Sequence, residues 1–387
     1  MLSPYLNVAN NLTDRGFLIY FCSALINLKS TINKIPEKYA ELNFTYQNYP
    51  NFLLITIRLM QWAEHVANEP NIPVVKLLTS GAAVFSYFFN LLKKPEVEFP
   101  FPAIYLRKIE QVRLSERLSK SNKEKEPDDG DLLADGNMQI MLMSTSRTIQ
   151  AKYIDYCTEL SNLLENYWKS RKSSSLRRAY DTVLKDISPV KVLARNKDEN
   201  STVFVSFGSE YFLSKEDMEE VASGLELSNV NFIWVARFPK GEEQNIEDAL
   251  PKGFLERIGE RGRVLDKFAP QPRNLNYPST GGFISHCGWN STMETIDFRV
   301  PIVAIPMHLD QPMNARLIVE LGVAVEIVRD DDGKIHRGEI AETLKRCHNR
   351  KTGGKLRAKV RDISKNLKYI RDEEMDTAAQ ELIQLYS

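Results

Sequence analysis

The chain has 387 residues, more than one hydrophobic core usually organises, so two domains are the expectation. Hydrophobic residues make up 43% and charged residues 26%, an ordinary globular balance. Basic and acidic side chains number 51 each, for a formal net charge of +0, which argues against nucleic acid or an anionic membrane surface as a main partner. The cysteines Cys22, Cys157, Cys287 and Cys347 are scattered, with no CxxC pair. Neither a zinc site nor a disulfide scaffold is indicated, and a reducing, cytoplasmic location fits.

In chain order, Ser3-Pro4 followed by YLNVANNL reads as an N-cap, a first-turn proline and a short helix that Gly16 ends. Residues 17–22, FLIYFC, read as a buried strand. The start lacks the basic and apolar regions of a signal peptide, so the three Asn-x-Thr sequons at Asn11, Asn43 and Asn200 read as coincidence. Residues 61–92 read as helix, strand (VVKLL) and helix. The apolar run 81–92 is short of the ~20 residues a bilayer crossing needs, so no integral membrane segment is expected. Residues 121–137 read as an exposed loop, and the basic, Ser-rich stretch 163–200 as an interdomain linker with some helix.

From Thr202 the pattern is regular. Strands are expected at 202–207, 231–237, 263–268, 281–286, 300–306 and 323–328. Helices are expected at 215–225, 290–298 and 314–322, and an amphipathic one at 372–385. Such alternation predicts a doubly wound parallel sheet.

Within this region the run Ser285-His286-Cys287-Gly288-Trp289-Asn290-Ser291 crosses from a strand to a helix. Ligands of open α/β sheets bind at the carboxyl ends of strands, near helix N-termini. The helix start offers free N–H groups and a positive dipole end to a phosphate. Gly288 permits close backbone approach, and His286 and Ser291 can donate to the same anion. Glu294, one turn on from Asn290, can accept from ribose hydroxyls. Gly208-Ser209 marks a second strand exit. A lone His at a strand–Gly–helix junction is more often structural, so the wider window matters.

Residues 268–311, FAPQPRNLNYPSTGGFISHCGWNSTMETIDFRVPIVAIPMHLDQ, resemble the signature of plant secondary-product glycosyltransferases, the UDP-sugar-dependent family with the GT-B fold. Ala269-Pro270-Gln271, the His286 to Ser291 run, Glu294, Val300-Pro301 and Asp310-Gln311 fall at the family's spacing. The resemblance extends from Thr202 to the C-terminus and less evenly to 3–42 and 61–160, and is nearest to branch-forming members that add a sugar to a sugar. It implies an α/β GT-B architecture of two Rossmann-like doubly wound domains facing a cleft. The expected organisation is 1–165 as acceptor-side domain, 166–199 as linker, 200–371 as donor domain, and 372–387 as a helix packing back on the first domain.

The resemblance also implies roles. Phe268 stands where a Trp stacks on uracil, with Ala269 and Gln271 near uracil and ribose. His286, Gly288, Asn290, Ser291 and Ser209 would hold the diphosphate, and Glu294 the ribose. Trp289, Asp310 and Gln311 would contact the sugar, the terminal Gln being the usual glucose-donor version. The reaction would be an inverting transfer to a hydroxyl of a small secondary metabolite or its glycoside, with the UDP-sugar as co-substrate and no metal or other cofactor. Asp330-Asp331-Asp332-Gly333 reads as a charged turn rather than a metal-binding DxD. Tyr277 stands where His is usual and Arg299 where Gly is usual. If residue 299 is a left-handed helix cap, Arg costs ~1 kcal/mol relative to Gly.

The family's catalytic His and its partner Asp are the departure. Their places fall at Met1 and near Ile57, and no Asp or Glu occurs between Glu41 and Glu64. A general base is worth roughly 10²–10⁴-fold. His65 is a weak substitute on an expected helix, and residues 157–165 lack the family's strand into the linker. The expectation is therefore a donor site with impaired turnover, the alternative being a non-catalytic UDP-sugar-binding pseudoenzyme or truncated gene product.

Overall fold

The computed structural model describes residues 12–15, 54–57, 74–123, 138–162, 198–208, 212–238, 246–266, 269–349 and 351–384. The strand expected at 17–22, nearly all of the expected linker, and all of the helix expected after Ser3-Pro4 except its end at Leu12, which is helical, lie outside them. The strands are β1 (Leu54–Ile57), β2 (Val74–Leu78), β3 (Met138–Met143), β4 (Thr202–Ser206), β5 (Asn231–Val235), β6 (Gly262–Leu265), β7 (Thr280–Ser285), β8 (Ile302–Ala304) and β9 (Ala324–Glu326). The helices are α1 (Ala82–Lys93), α2 (Lys108–Lys123), α3 (Arg147–Asn162), α4 (Lys215–Ser228), α5 (Ile246–Ala249), α6 (Phe254–Ile258), α7 (Gln271–Leu275), α8 (Trp289–Phe298), α9 (Gln311–Glu320), α10 (Arg337–His348) and α11 (Thr352–Ile383). They divide into two compact units, one of Met1–Pro100, Lys123–Leu184 and Asn366–Ser387, the other of Phe101–Asn122 and Lys185–Lys365.

In the first unit β1, β2 and β3 form a parallel sheet in that order. Ile57 ends β1, paired with Leu77. α1 and α3 pack together, with the Gln150 side-chain carbonyl accepting from Ala83 N at 2.8 Å and Tyr156 donating to Asn90 Oδ1 at 2.5 Å. Ile149, Tyr153, Ile154, Cys157 and Leu160 form the buried stripe of α3. Residues 157–162, read for a missing strand, are thus helix, because their apolar spacing is that of a helical face.

The second unit holds a six-stranded sheet in the order β6-β5-β4-β7-β8-β9, every pair parallel. The doubly wound expectation is met, and the order reverses between β4 and β7. The central strands are continuous apolar runs because both faces are covered. Val203, Val205, Phe232, Trp234 and Ile284 pack with Leu225 of α4 and Ile340 and Leu344 of α10. Phe204, Ile233 and Phe283 face the other way, onto Leu275 and Val300. Each such side chain stabilises the unit by ~1.5–3 kcal/mol, which is what keeps the two strand exits of the site in register.

Two expectations about helices change. The final helix does not begin at Asp372: α11 runs unbroken from Thr352. Gly353-Gly354 and the lysines hid it, but Leu356, Val360, Ile363 and Leu367 supply a buried stripe at helical spacing. The described start of the expected loop 121–137, residues 121–123, belongs to α2. α2 folds with the second unit, where both oxygens of Glu110 accept from Arg316 Nη2 at 2.8 Å and Arg107 donates to Glu326 at 2.6 Å. The Arg316 guanidinium also lies 4.4 Å over the Tyr105 ring.

Candidate functional site

The site lies where the sheet order reverses. Ser206 and Ser285 are register partners at the ends of β4 and β7. Each Ser turns its hydroxyl onto the exit that follows: Gly208 N donates to Ser206 Oγ at 3.5 Å, and Cys287 N to Ser285 Oγ at 3.1 Å. Both exits turn through left-handed backbone, at Gly208 (φ 82°) and Cys287 (φ 63°).

His286 sits between the two exits. A β-carbon on Gly208 would stand 2.7 Å from His286 Nε2, and one on Gly288 would stand 2.6 Å from the same atom. Glycine is thus required on both sides of the ring. Burial, then the nearby His308, pushes the His286 pKa down to about 4, against a weaker opposing hydrogen bond with the Ser206 backbone. The ring is neutral at ordinary pH. Its Nδ1 is buried and has no protein partner among the described residues.

α8 begins directly after, with Gly288 as its N-cap. Its first N–H groups have no preceding turn to accept them, and its dipole is positive at this end. Trp289 is buried under the start of the helix and Asn290 is partly exposed there. Ser291 and Glu294 follow, joined by Gln271 at the start of α7. Gln271 Nε2 donates to Ser291 Oγ at 3.0 Å and to Glu294 Oε2 at 2.7 Å. Ala269, two residues earlier, is buried. Glu294 as a whole is 8% exposed, and its carboxylate is held by Gln271.

The loop after β8 forms the third side. Gln311 opens α9, and its Oε1 accepts from Met307 N at 3.1 Å and His308 N at 3.2 Å. Asp310 is the N-cap of α9 and accepts from Asn314 Nδ2 at 3.0 Å. Ile305 N donates to Ser285 O at 2.8 Å, bringing this loop beside the β7 exit. Sequence reasoning missed Asn314, which lies beyond the signature window, although an amide one turn after Asp310 was a readable signal. Ser209, Phe268, His65 and Met1 lie outside the described residues.

The Asp330 turn is formed as expected. Asp330 Oδ1 accepts from Asp332 N and Lys334 N, its Oδ2 faces His336 Nε2 at 2.7 Å, and Gly333 takes φ 80°. Arg299 caps α8 in the left-handed region (φ 63°, ψ 33°), the case in which Arg there carries a backbone cost. Tyr277, where His is usual, packs partly buried against the Phe204 and Phe283 cluster. Among the described residues no helix is long and apolar enough to cross a membrane.

A Rossmann-order sheet with a neutral His, a glycine-lined helix start and a buried carboxylate at its switch point defines a doubly wound α/β protein whose candidate site lies where such sheets bind ligands. Comparison with known proteins is more specific. The family described as "UDP-glucoronosyl and UDP-glucosyl transferase" matches residues 188–351. The chain is 40% identical to beta-D-glucosyl crocetin beta-1,6-glucosyltransferase of Gardenia jasminoides, across 99% of this chain and 96% of that protein. It is 38% identical to a mogroside IIIx synthase of Siraitia grosvenorii, across 98% of this chain and 90% of that one. The crystal structure of TcCGT1 in complex with UDP superposes with a TM-score of 0.77 at 24% identity, covering 99% of this chain and 96% of that chain. The chain therefore belongs to the UDP-glycosyltransferase family, whose named relatives include sugar-on-sugar glucosyltransferases, and its fold is the α/β GT-B type. The crocetin glucoside relative aligns over 436 positions, more than this chain's 387 residues, so it carries internal segments without a counterpart here.

Proposed function

We propose that the second unit binds a UDP-sugar across the β4 and β7 exits, as donor for glucosylation of a hydroxyl on a small plant glycoside. The observation that carries this is His286 enclosed by Gly208 and Gly288 at the start of α8. That arrangement offers an anion a cluster of fixed donors without adding positive charge, since His286 is neutral. In this reading the diphosphate lies on Gly288, Asn290, Ser291 and His286, with Ser209 from the other exit. Glu294, oriented by Gln271, accepts from the ribose, and Phe268 with Ala269 lies against uracil. Trp289, Asp310 and Gln311 meet the sugar. Gln311 would do so through Nε2, because Oε1 holds the loop.

These groups also account for the leaving group. As the sugar departs, charge grows on the β-phosphate, and the helix N-terminus and hydroxyl donors stabilise it without a metal in the step. A cytoplasmic site of action fits the buried free thiols Cys157, Cys287 and Cys347. Neither nucleic acid nor membrane lipid is a partner in this reading.

The acceptor side motivates a second reading, a UDP-sugar binder without turnover. The family's Asp position falls near Ile57, at the carboxyl end of β1, and no carboxylate occurs between Glu41 and Glu64. Calorimetry with UDP and UDP-glucose, followed by assay of UDP release with glycoside acceptors, separates the cases. Binding with acceptor-dependent release supports the transferase. Binding without release supports the second reading, and absence of binding at millimolar ligand sinks both.

A further inference from the structure

We propose that Asn314 is a positioning residue that ties the anion-binding turn to the loop after β8, and so sets the shape of the donor pocket. The inference rests on the reading of that pocket as a UDP-sugar site.

Asn314 is fully buried, one turn into α9. Its Nδ2 donates twice, to Cys287 O at 3.1 Å and to Asp310 Oδ2 at 3.0 Å. Cys287 is the residue that most needs holding. It carries a β-carbon in left-handed backbone, a conformation that persists only where its surroundings impose it. Ser285 Oγ holds its N–H and Asn314 holds its carbonyl. The next peptides are those that enter α8 and present N–H groups to the diphosphate. A tilt at Cys287 would therefore re-aim the whole anion site. The second bond fixes the Asp310 carboxylate, proposed to meet the sugar. One amide thus couples the phosphate and sugar sides of the pocket, while Gln311, on the same helix, holds Met307 and His308.

The chemistry demands an amide. A carbonyl and a carboxylate are both acceptors, so the group between them must donate in two directions. Leucine would fill the space and leave both acceptors unpaired. Aspartate would add a like charge beside Asp310 unless it carried a proton, and such a pair holds one proton far above the usual carboxylate range. The other titratable groups near this point are the Cys287 thiol, which burial and the Glu326 and Asp310 charges keep protonated, and His286, which is neutral and lies near His308.

The test is UDP affinity by calorimetry for the wild type, Asn314→Leu and Asn314→Asp at pH 5.5, 6.5 and 8. Each variant is compared with the wild type at the same pH, so that titration of UDP itself cancels. Asn314→Leu is expected to weaken UDP at least tenfold at every pH. Asn314→Asp should match that loss at pH 8 and recover at least threefold by pH 5.5, as the new carboxyl gains a proton and donates again. A purely structural role would not produce that recovery. If Asn314→Leu unfolds, the pH ratio of Asn314→Asp still decides. Variants within twofold of a UDP-binding wild type, or an Asn314→Asp loss without recovery, would overturn the Asn314 assignment alone. A wild type that binds no UDP would remove the donor-site reading and this role with it.

Discussion

Gly208 and His286 face each other across the reversal of the sheet, so closely that a β-carbon on the glycine would stand 2.7 Å from the imidazole Nε2. Gly208 is also left-handed, at φ 82°. Gly208→Ala therefore meets both a backbone penalty of ~1 kcal/mol and a clash with a ring that has little room to retreat. UDP affinity measured by calorimetry is expected to fall at least tenfold, with a smaller change in melting temperature. An unchanged affinity would show that the ring is free to move and that its placement does not matter to the ligand.

The same histidine predicts a pH dependence. Its folded pKa, about 4, lies below the ordinary value of 6.5 because burial disfavours the imidazolium. Between those values the unfolded chain binds a proton that the folded chain does not. Its contribution to stability is thus complete above pH 6.5 and is lost as pH falls toward 4, with a slope of up to about 1.4 kcal/mol per pH unit. Denaturant titrations of the wild type and His286→Asn across pH 4 to 7.5 should converge at low pH, the difference between them isolating this residue from the carboxylates. Parallel curves would contradict the burial argument.

Arg316 and Glu110 form an enclosed ion pair of the second unit, with side chains 4% and 13% exposed. Glu110→Gln leaves the buried Arg316 charge with Glu326, 3.7 Å away, and without its two 2.8 Å bonds, so it is expected to cost ~1.5–3 kcal/mol and to lower the melting temperature by several degrees. The double change Arg316→Met with Glu110→Leu should recover much of that loss, because an apolar pair needs no compensation. A single variant as stable as the wild type would mean that the pair is dispensable for holding α2.

Arg299 predicts a gain. It caps α8 at φ 63° and ψ 33°, where a β-carbon is unfavourable. Arg299→Gly should raise stability by about 1 kcal/mol, read as a shift in denaturation midpoint, with UDP affinity unchanged. A loss would show that the Arg299 side chain makes a compensating contact.

How much of this was readable before any coordinates depended on repetition and spacing. The second unit was legible because its central strands are covered on both faces and appear as apolar runs, and the longer helices between strands carry buried stripes of their own. Arg299 was legible because a position that usually holds Gly carries a mechanism. The first unit was harder. β3 is Met138-Gln-Ile-Met-Leu-Met, with one β-branched residue, and its pairing with β2 is non-local. α11 was half hidden because Gly353-Gly354 resembles a break, yet burial of Leu356 and Val360 overrides that local preference.

By itself the sequence determined the type of fold and the chemistry available at the β7 exit, since alternation of apolar runs and the His286 to Ser291 spacing are local properties of the chain. Only the tertiary structure decided which groups meet. The strand order places Gly208 against His286, residues far apart in sequence, and packing of α9 beside the β7 exit hands the Cys287 carbonyl to Asn314. Hydrogen bonds and steric contacts act over a few ångströms, and no pattern along the chain records which distant residues will come within that reach.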